Sequence, residues 1–353
     1  MIDTDQLRIQ FSDILKDTLI YSNPLTDGDK EKLAKIGDLI TPNTPKQLFR
    51  YRAYSKRSYR AFRDNQIWLS APYKFNDPYD CIMKVDIDKL LYDAEYYLSS
   101  KGQNEILNFI HKNNKLPISS IDEKDIQLMQ FIKEVKNNNF SYEKMNINDL
   151  SEQTPFILKQ LKNRIIDIIN QTTHYPKIAS FSEKPNSMLM WSHYANSHNG
   201  FVLSYDFSEL TMSNFTSLKD TAINLFPAIY SPERYDGTQF VEDTICGELF
   251  NSTGIKYKSR YDRLIWFKSN LYKSLNWDYE KEWRIIYTDE KMKGNFGKIP
   301  LKIVPTAIYY GVNLGAKQQE KLSKIAKSLH VDEYKMKIDY QSGKYTLESY
   351  PID

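Results

Sequence analysis

The chain has 353 residues, 41% hydrophobic and 26% charged, enough for one large or two ordinary globular domains with ample core. Its 48 basic and 45 acidic side chains leave a formal charge of +3, too balanced to imply a nucleic-acid partner by itself, although a local patch could still bind one. Two cysteines, Cys81 and Cys246, cannot build a disulfide framework or a cysteine zinc site unaided.

No apolar run approaches the roughly 20 residues of a membrane span. The N-terminal MIDTDQLRIQFSDILKD carries early acids and no continuous apolar stretch, so no secretory signal and no membrane partner is expected, and a cytoplasmic protein is. Only 12 glycines occur, with no G-x-G-x-x-G and no G-x-x-x-x-G-K-[ST], which argues against a Rossmann site or a P-loop. The 26 tyrosines and 17 phenylalanines point instead to aromatic-lined clefts and β-rich packing.

In chain order, residues 1–40 have helical spacing, with Leu7, Phe11, Ile14 and Leu15 on one face and Leu33, Ile36, Leu39 and Ile40 on another. Asn23-Pro24 separates the two helices, and Thr41–Pro45 forbids helix, so residues 1–45 read as a helical extension ahead of a main domain at 46–353. A strand is expected at Lys46–Tyr51, a helix at Lys56–Asn65 capped by Ser55, and a short strand at Ile67–Ser70. Ala71–Asp80 is a loop of turn formers that contributes Asn76 and Asp77.

From about 87 to 171 the composition shifts to Lys, Asn, Asp and Glu. The apolar residues keep helical spacing at Leu90, Leu91, Ala94, Tyr97 and Leu98, at Ile126, Met129, Ile132 and Val135, and at Ile157, Leu161, Ile165 and Ile168. This reads as a helical insertion between two halves of a sheet domain. Next comes Lys177–Phe207, strand–turn–short segment–loop–strand, whose density of Ser, Glu, Asn, His, Tyr and Trp suits a site better than a core. Strands are expected at Leu225–Tyr230, Asn276–Tyr287, Gly297–Ile303, Thr306–Tyr310, Tyr334–Asp339 and Tyr345–Tyr350, and helices at Thr238–Phe250, Ser259–Ser274 and Ala316–Leu329.

Several side chains could carry chemistry. On a strand, Glu280, Glu282 and Arg284 share one face, and two carboxylates at that spacing repel, so at least one pKa rises unless a cation lies near. The alternative is an exposed edge strand on which Glu282 and Arg284 form a solvated pair of little worth. Arg50 and Arg52 could hold a phosphate or partner the aspartates of FNDPYD, in the most basic window of the chain, 46–63. His193 and His198 flank Tyr194; without H-E-x-x-H or a cysteine cluster, a structural or substrate-orienting role is expected rather than metal. Ser180 and Ser182 present two hydroxyls on one side of a strand, as donors to a sugar or amide or simply as a wet polar face. Nothing resembling G-x-S-x-G surrounds them.

At LFRYR (48–52), WLSAPYKFNDPYD (68–80), ASFSEKPNSMLMWSHYANSHNGFVLSYDF (179–207) and WDYEKEWRIIY (277–287) the sequence resembles a bacterial family known as a domain of unknown function, DUF2971, in blocks scattered over roughly 46–311. The family name alone implies no activity. The order of an Arg on a first strand, Ser-x-Ser on a middle strand and Glu-x-Glu on a late strand also resembles the ADP-ribosyltransferase fold, with SFSEKPNSMLMW similar to a segment of DarT-type DNA-modifying enzymes.

That second resemblance implies an α+β protein with a split β-sheet core of ADP-ribosyltransferase type, using NAD as substrate to modify a macromolecule, nucleic acid or protein, in a toxin or phage-defence role. It implies that Arg50 or Arg52 grips the NAD pyrophosphate, Ser180 and Ser182 support the nicotinamide ribose, and Trp191 or Tyr194 stacks on nicotinamide. Glu282 would be the catalytic carboxylate and Glu280 would orient or deprotonate the acceptor, with no metal required. Two other readings stay open: a non-catalytic module recognising a nucleotide or peptide, and a metal-dependent hydrolase or nuclease using Asp77, Asp80, His193 and Glu282.

Overall fold

The structure, a computed structural model, describes residues 2–22, 24–99, 101–102, 147–207, 225–252, 261–287, 296–298, 303–341, 343 and 345–352. The protein is a mixed α+β chain that divides into two compact units. The first comprises Met1–Met83, Thr172–Tyr235 and Asp262–Asp353; the second comprises Lys84–Gln171 and Asp236–Tyr261.

In the first unit, helices α1 (Thr4–Asp17) and α2 (Asp27–Ile40) open the chain. Asp3 caps α1, and Thr26 with Asp29 forms a reciprocal capping box on α2. Their apolar stripes (Leu7, Phe11, Leu15, Leu33, Ile36 and Ile40) are fully buried in the same core as the sheet, so these helices are structural members of this unit. Arg8 makes the junction polar as well as apolar: it donates to the carbonyls of Ala228 and Glu282 at 2.9 Å each and pairs with Glu183 at 2.6 Å.

The sheet is built from β1 (Gln47–Arg52), β2 (Trp68–Ser70), β3 (Lys177–Ser182), β4 (Phe201–Asp206), β5 (Leu225–Pro227), β8 (Glu282–Tyr287), β9 (Phe296–Lys298), β10 (Ala307–Tyr310), β11 (Asp332–Ile338) and β12 (Leu347–Pro351). Between β5 and β8 lie β6 (Ile229–Ser231) and β7 (Tyr272–Ser274), which pair with each other as a separate two-stranded sheet. The strand order is β12-β11-β10-β4-β1-β3-β2-β9, with β8 on β3 and β5 on β8.

The sheet forks at β3. Strand β8 runs antiparallel to it over six positions, from Lys177↔Tyr287 to Ser182↔Glu282. On the other side β1 meets β3 only at Phe49↔Ser182, and β2 meets it only at Ser70↔Ile178. Beyond Phe49 the strands part, and a cleft opens between Arg50–Arg52 on one lip and Ser70, Ile178 and Ser180 on the other.

Helix α3 (Lys56–Arg63) follows β1, with Ser55 and Ser58 in a capping box and Phe62 in the core. Helix α9 (Ala316–Leu329) crosses from β10 to its parallel neighbour β11, burying Leu322, Ile325 and Ala326. Gly200 and Gly311 let β4, β10 and the end of β1 converge: a Cβ on Gly200 would lie 2.1 Å from the Arg52 carbonyl, and one on Gly311 would lie 2.1 Å from that of His198. Only glycine admits so close a backbone approach.

The second unit contains α4 (Ile87–Leu98), most of α5 (Ile147–His174) and α7 (Thr238–Ser252), where α6 denotes Met188–Tyr194 of the first unit. Asp86 caps α4 and donates its N–H to Thr238 Oγ1 at 2.9 Å, while Arg164 pairs with Glu248. The insertion expected over about 87–171 falls here, together with Asp236–Tyr261. Its expected apolar repeat at Ile126, Met129, Ile132 and Val135 lies outside the described residues.

Three expected elements differ. Leu225–Tyr230 is two short strands in different sheets: Pro227, without an N–H, ends β5, the Ala228 N–H makes a last bond to the Glu282 carbonyl of β8 at 2.9 Å, and the Ile229 N–H turns to the Leu271 carbonyl at 2.8 Å, beside β7. The described part of the expected helix 259–274 is a short helix α8 (Ile265–Ser269) followed by β7. Asn276–Tyr287 is a 3-10 turn over Leu275–Glu280, then Lys281 in the left-handed region at φ 43°, and only then strand β8. Strand β8 is buried along its whole length, which removes the exposed-edge reading of Glu282 and Arg284.

Candidate functional site

The cleft in the sheet fork has a volume of about 380 Å3. Arg50, Arg52 and Lys74 make one part of its lining cationic; beside Ser182 the lining holds the carboxylates Asp80, Glu280 and Glu282 around Lys273. Ser180, Tyr194 and His193 also reach it.

Around those carboxylates the register sets Ser182 beside Glu282 and Ser180 beside Arg284, all on one face. Glu280 arrives there by another route. Its turn ends one residue before the strand, and the Ser182 hydroxyl donates to its backbone carbonyl at 2.7 Å. The two carboxylates then share the ammonium of Lys273, on β7, at 2.5 Å from Glu280 and 2.8 Å from Glu282. Arg284 donates to Glu282 through Nε at 2.9 Å and Nη2 at 3.0 Å, to both oxygens of Asp80 at 2.8 Å, and to the Asn270 carbonyl at 2.7 Å. Three carboxylates and two cations are therefore buried in one network, which leaves one negative charge in excess when all ionise.

The carboxylates respond in opposite directions. Burial and the Glu282 charge push Glu280 up to about 7 against the pull of Lys273. Glu282 is buried too, yet Arg284 and Lys273 hold it well below the carboxylate range. One member is thus a permanent anion and the other exchanges its proton near neutrality, the division of labour that acid–base sites use. Tyr194 donates to Glu280 Oε1 at 2.5 Å, and Asn76 reaches the Tyr194 hydroxyl at 3.4 Å. Burial, with the Glu280 charge beside it, raises the Tyr194 phenol, so it remains a donor.

In the cationic part of the lining, Arg50 is 7% exposed. It donates through Nη2 to the Trp68 carbonyl at 2.5 Å and lies over the Phe181 ring, and its Nη1 has no hydrogen-bond partner among the described residues. Burial pushes its guanidinium well below the ordinary range, and the charges of Arg52 and Arg57 act the same way. Among the described residues no carboxylate pairs with it. A buried guanidinium short of a partner, beside two more arginines, is matched to an anion such as phosphate.

The remaining expected site residues divide. Ser180 is half-buried and lines the cleft, whereas the Ser182 hydroxyl is spent on the Glu280 backbone. Tyr194 can meet a ligand, but Trp191 cannot: it is fully buried, donates to the Pro185 carbonyl at 2.7 Å and packs edge-on against Tyr51, because α6 turns its apolar face to the sheet. His193 is exposed on the cleft rim with Trp277 and Tyr279, and His198 instead stacks on Trp191. Asn76 lines the cleft; Asp77 does not, and accepts from the Tyr79 N–H at 2.8 Å.

Lys273, Asp80 as its network partner, and Arg8 behind the Glu282 backbone were not legible as a group, since each comes from a different part of the chain. Asp80 and Glu282 spend their oxygens on Arg284 and Lys273, which dismantles the donor set of the metal-hydrolase reading. Among the described residues no group of three or more His, Cys, Asp and Glu is placed to hold a metal, and no helix is long and apolar enough to cross a membrane.

The fold and cleft define a mixed α+β protein with an aromatic-rimmed pocket, lined by both signs of charge, in a forked sheet. Residues 190–285 match the family model described as a protein of unknown function, DUF2971, which bears out that family resemblance over a stretch holding Tyr194, Lys273, Glu280, Glu282 and Arg284. No curated protein and no solved structure matches the chain.

Proposed function

We propose that the protein is an NAD-dependent ADP-ribosyltransferase that modifies a macromolecule, with a core of the ADP-ribosyltransferase type. The observation that carries the reading is the charge of the cleft lining: a buried, partner-poor arginine together with two carboxylates of opposed pKa. Arg50, with Arg52, suits the pyrophosphate of a dinucleotide, and Ser180 and Tyr194 face the space a ribose and its base would fill.

Cleaving the N-glycosidic bond builds positive charge on the ribose, which a fixed anion stabilises. Glu282 supplies that anion, although Arg284 and Lys273 share its charge. Glu280, exchanging its proton near pH 7 and hydrogen-bonded by Tyr194, takes the proton from the acceptor as the new bond to the ribose forms and nicotinamide leaves.

The test is NAD consumption by the full chain, with and without single-stranded DNA, RNA and cell lysate, and with and without chelator. Turnover that survives chelator and is lost in Glu280→Gln is expected. Glu282→Gln is the harsher probe, because it also breaks the buried network. Unchanged turnover in Glu280→Gln would remove the acid–base role, and no turnover by folded wild type under any condition would remove the transferase.

The saturation of Glu282 by two cations favours a second reading, a module that binds a nucleotide without turning it over. It predicts NAD or ADP-ribose binding that needs Arg50 and is indifferent to Glu280→Gln.

A further inference from the structure

Helices α3 and α9 lie more than 250 residues apart in sequence and touch in the fold. Arg63 of α3 and Lys324 of α9 both lie within electrostatic range of the Tyr59 phenol. On α3, Lys56, Arg60 and Arg63 recur at i, i+4 and i+7, so they form one exposed stripe, with Arg57 flanking it. On α9, Lys317, Lys321 and Lys324 repeat the same spacing, with Lys327 alongside, and all four are exposed. Against these eight cations the two helices and their caps set two carboxylates, Asp64 on Arg63 and Glu320 on Lys324. Among the described residues no carboxylate pairs with Lys56, Arg60, Lys317, Lys321 or Lys327. A chain whose overall charge is +3 thus concentrates a larger excess on one ridge.

The ridge ends at an opening. A cavity of about 280 Å3 lies at the first turn of α3, lined by Arg52, Ser55, Arg57, Ser58 and Trp68, with the Arg57 guanidinium 5.0 Å over the Trp68 ring. It shares Tyr51, Arg52, Ser70 and Tyr194 with the cleft in the sheet fork.

We propose that the α3/α9 ridge is a docking surface for a single strand of nucleic acid, whose phosphodiester backbone lies along the two basic stripes and whose base enters the cavity beside Trp68. Lysines and arginines spaced along a helix neutralise successive phosphates without reading sequence, and a cavity with an aromatic wall and an arginine is what an unstacked base requires. The partner is a nucleic acid because the surface offers dense positive charge together with a base-sized aromatic opening. An acidic protein would use only the charge. The cavity shares Tyr51, Arg52, Ser70 and Tyr194 with the cleft, but the ridge cations on α3 and α9 outside Arg57 do not line either opening, so the ridge is tested by binding rather than by NAD turnover.

The experiment is fluorescence anisotropy of the full chain with labelled 20-nucleotide single-stranded DNA and RNA, the matching duplex, and polyglutamate, across a salt series. Four proteins are compared: wild type, Lys317→Glu/Lys321→Glu/Lys324→Glu on the ridge, its glutamine counterpart, and Lys30→Glu/Lys32→Glu/Lys35→Glu on the exposed face of α2 as an equal change of net charge. Single strands should bind wild type with a log–log salt slope of about −0.7 per phosphate contacted. The ridge variant should weaken binding by about tenfold or more and flatten the slope by about two, while the α2 variant changes it little. Lys317→Gln/Lys321→Gln/Lys324→Gln, which removes charge without adding acid, should fall between the two. Equal losses in the ridge and α2 variants would overturn the ridge, polyglutamate binding as tightly as a single strand would overturn the partner class, and preference for the duplex would overturn the base-entry geometry. NAD consumption without acceptor, measured on the same proteins, should be unchanged by the ridge variant.

Discussion

Residues in the cleft show how burial divides otherwise similar side chains. Glu280 and Glu282 are two positions apart, yet the second lies between Arg284 and Lys273 while the first has Lys273 alone and faces the Glu282 charge. The pH consequence follows in sign. A folded pKa of about 7 against an ordinary 4.5 means the folded state holds a proton that the unfolded chain loses, so the Glu280 contribution is full below 4.5 and is lost as pH rises to 7. Glu282 acts oppositely, its contribution being present above 4.5 and lost as pH falls through its depressed folded value. Between pH 4.5 and 7 the melting temperature of wild type should therefore fall relative to that of Glu280→Gln, against the opposing slope of His198, whose burial lowers its pKa; an identical slope in the two proteins would contradict the assignment. Arg50 makes a less intuitive prediction. Among the described residues no carboxylate pairs with its buried charge, so Arg50→Met should leave stability unchanged or raise it while abolishing anion binding. Thermal melts with and without pyrophosphate read both effects, and saturating anion at about 100 times Kd should stabilise only wild type, by about 2.7 kcal/mol.

At the scale of elements, the site depends on how β8 is held from both sides. Along its length it pairs with β3, and behind its first residue Arg8 of α1 takes the Glu282 and Ala228 carbonyls. Arg8→Met leaves those carbonyls and Glu183 without their charged donor and should cost about 1.5–3 kcal/mol in denaturant unfolding. Arg284→Met strands Asp80 and Glu282 inside the protein and should cost more, about 3–5 kcal/mol. Gly200→Ala should be as damaging without touching any charge, since its Cβ would drive the Arg52 carbonyl away and move the lip of the cleft. Soluble, normally melting Gly200→Ala protein would show that this junction can relax.

Across the whole molecule, the cleft and its supporting network belong to the first unit, and the second is a helical body assembled from two separate stretches. The exposed Arg164–Glu248 pair of the second unit is a surface contact, and Arg164→Ala should change stability by no more than about 1 kcal/mol. The same variant should leave the pH-dependent slope attributed to Glu280 intact. Legibility also varied over the molecule. Strands β1, β2, β3 and β10 and helix α9 follow directly from period and caps. The meeting of Arg50, Arg52, Ser180, Tyr194, Glu280 and Glu282 around one cleft does not, and was implied only by the resemblance to the ADP-ribosyltransferase fold. Nor does the 3-10 turn before β8, because alternation continues through Asn276–Tyr287 and nothing local announces a left-handed Lys281.

The amino-acid pattern alone determines which segments are amphipathic, where Pro and Ser start or stop them, and which stretches carry too many polar and aromatic side chains to be core. Those are local properties, set by backbone sterics and the period of burial. Partnership is not local. That Trp191 is core and Tyr194 faces the cleft, that Lys273 and Asp80 join Glu280, Glu282 and Arg284, and that α3 meets α9 all depend on segments distant in sequence, in the last case by more than 250 residues. Charge, unlike hydrophobicity, takes its chemical meaning from the dielectric and the neighbours that folding supplies.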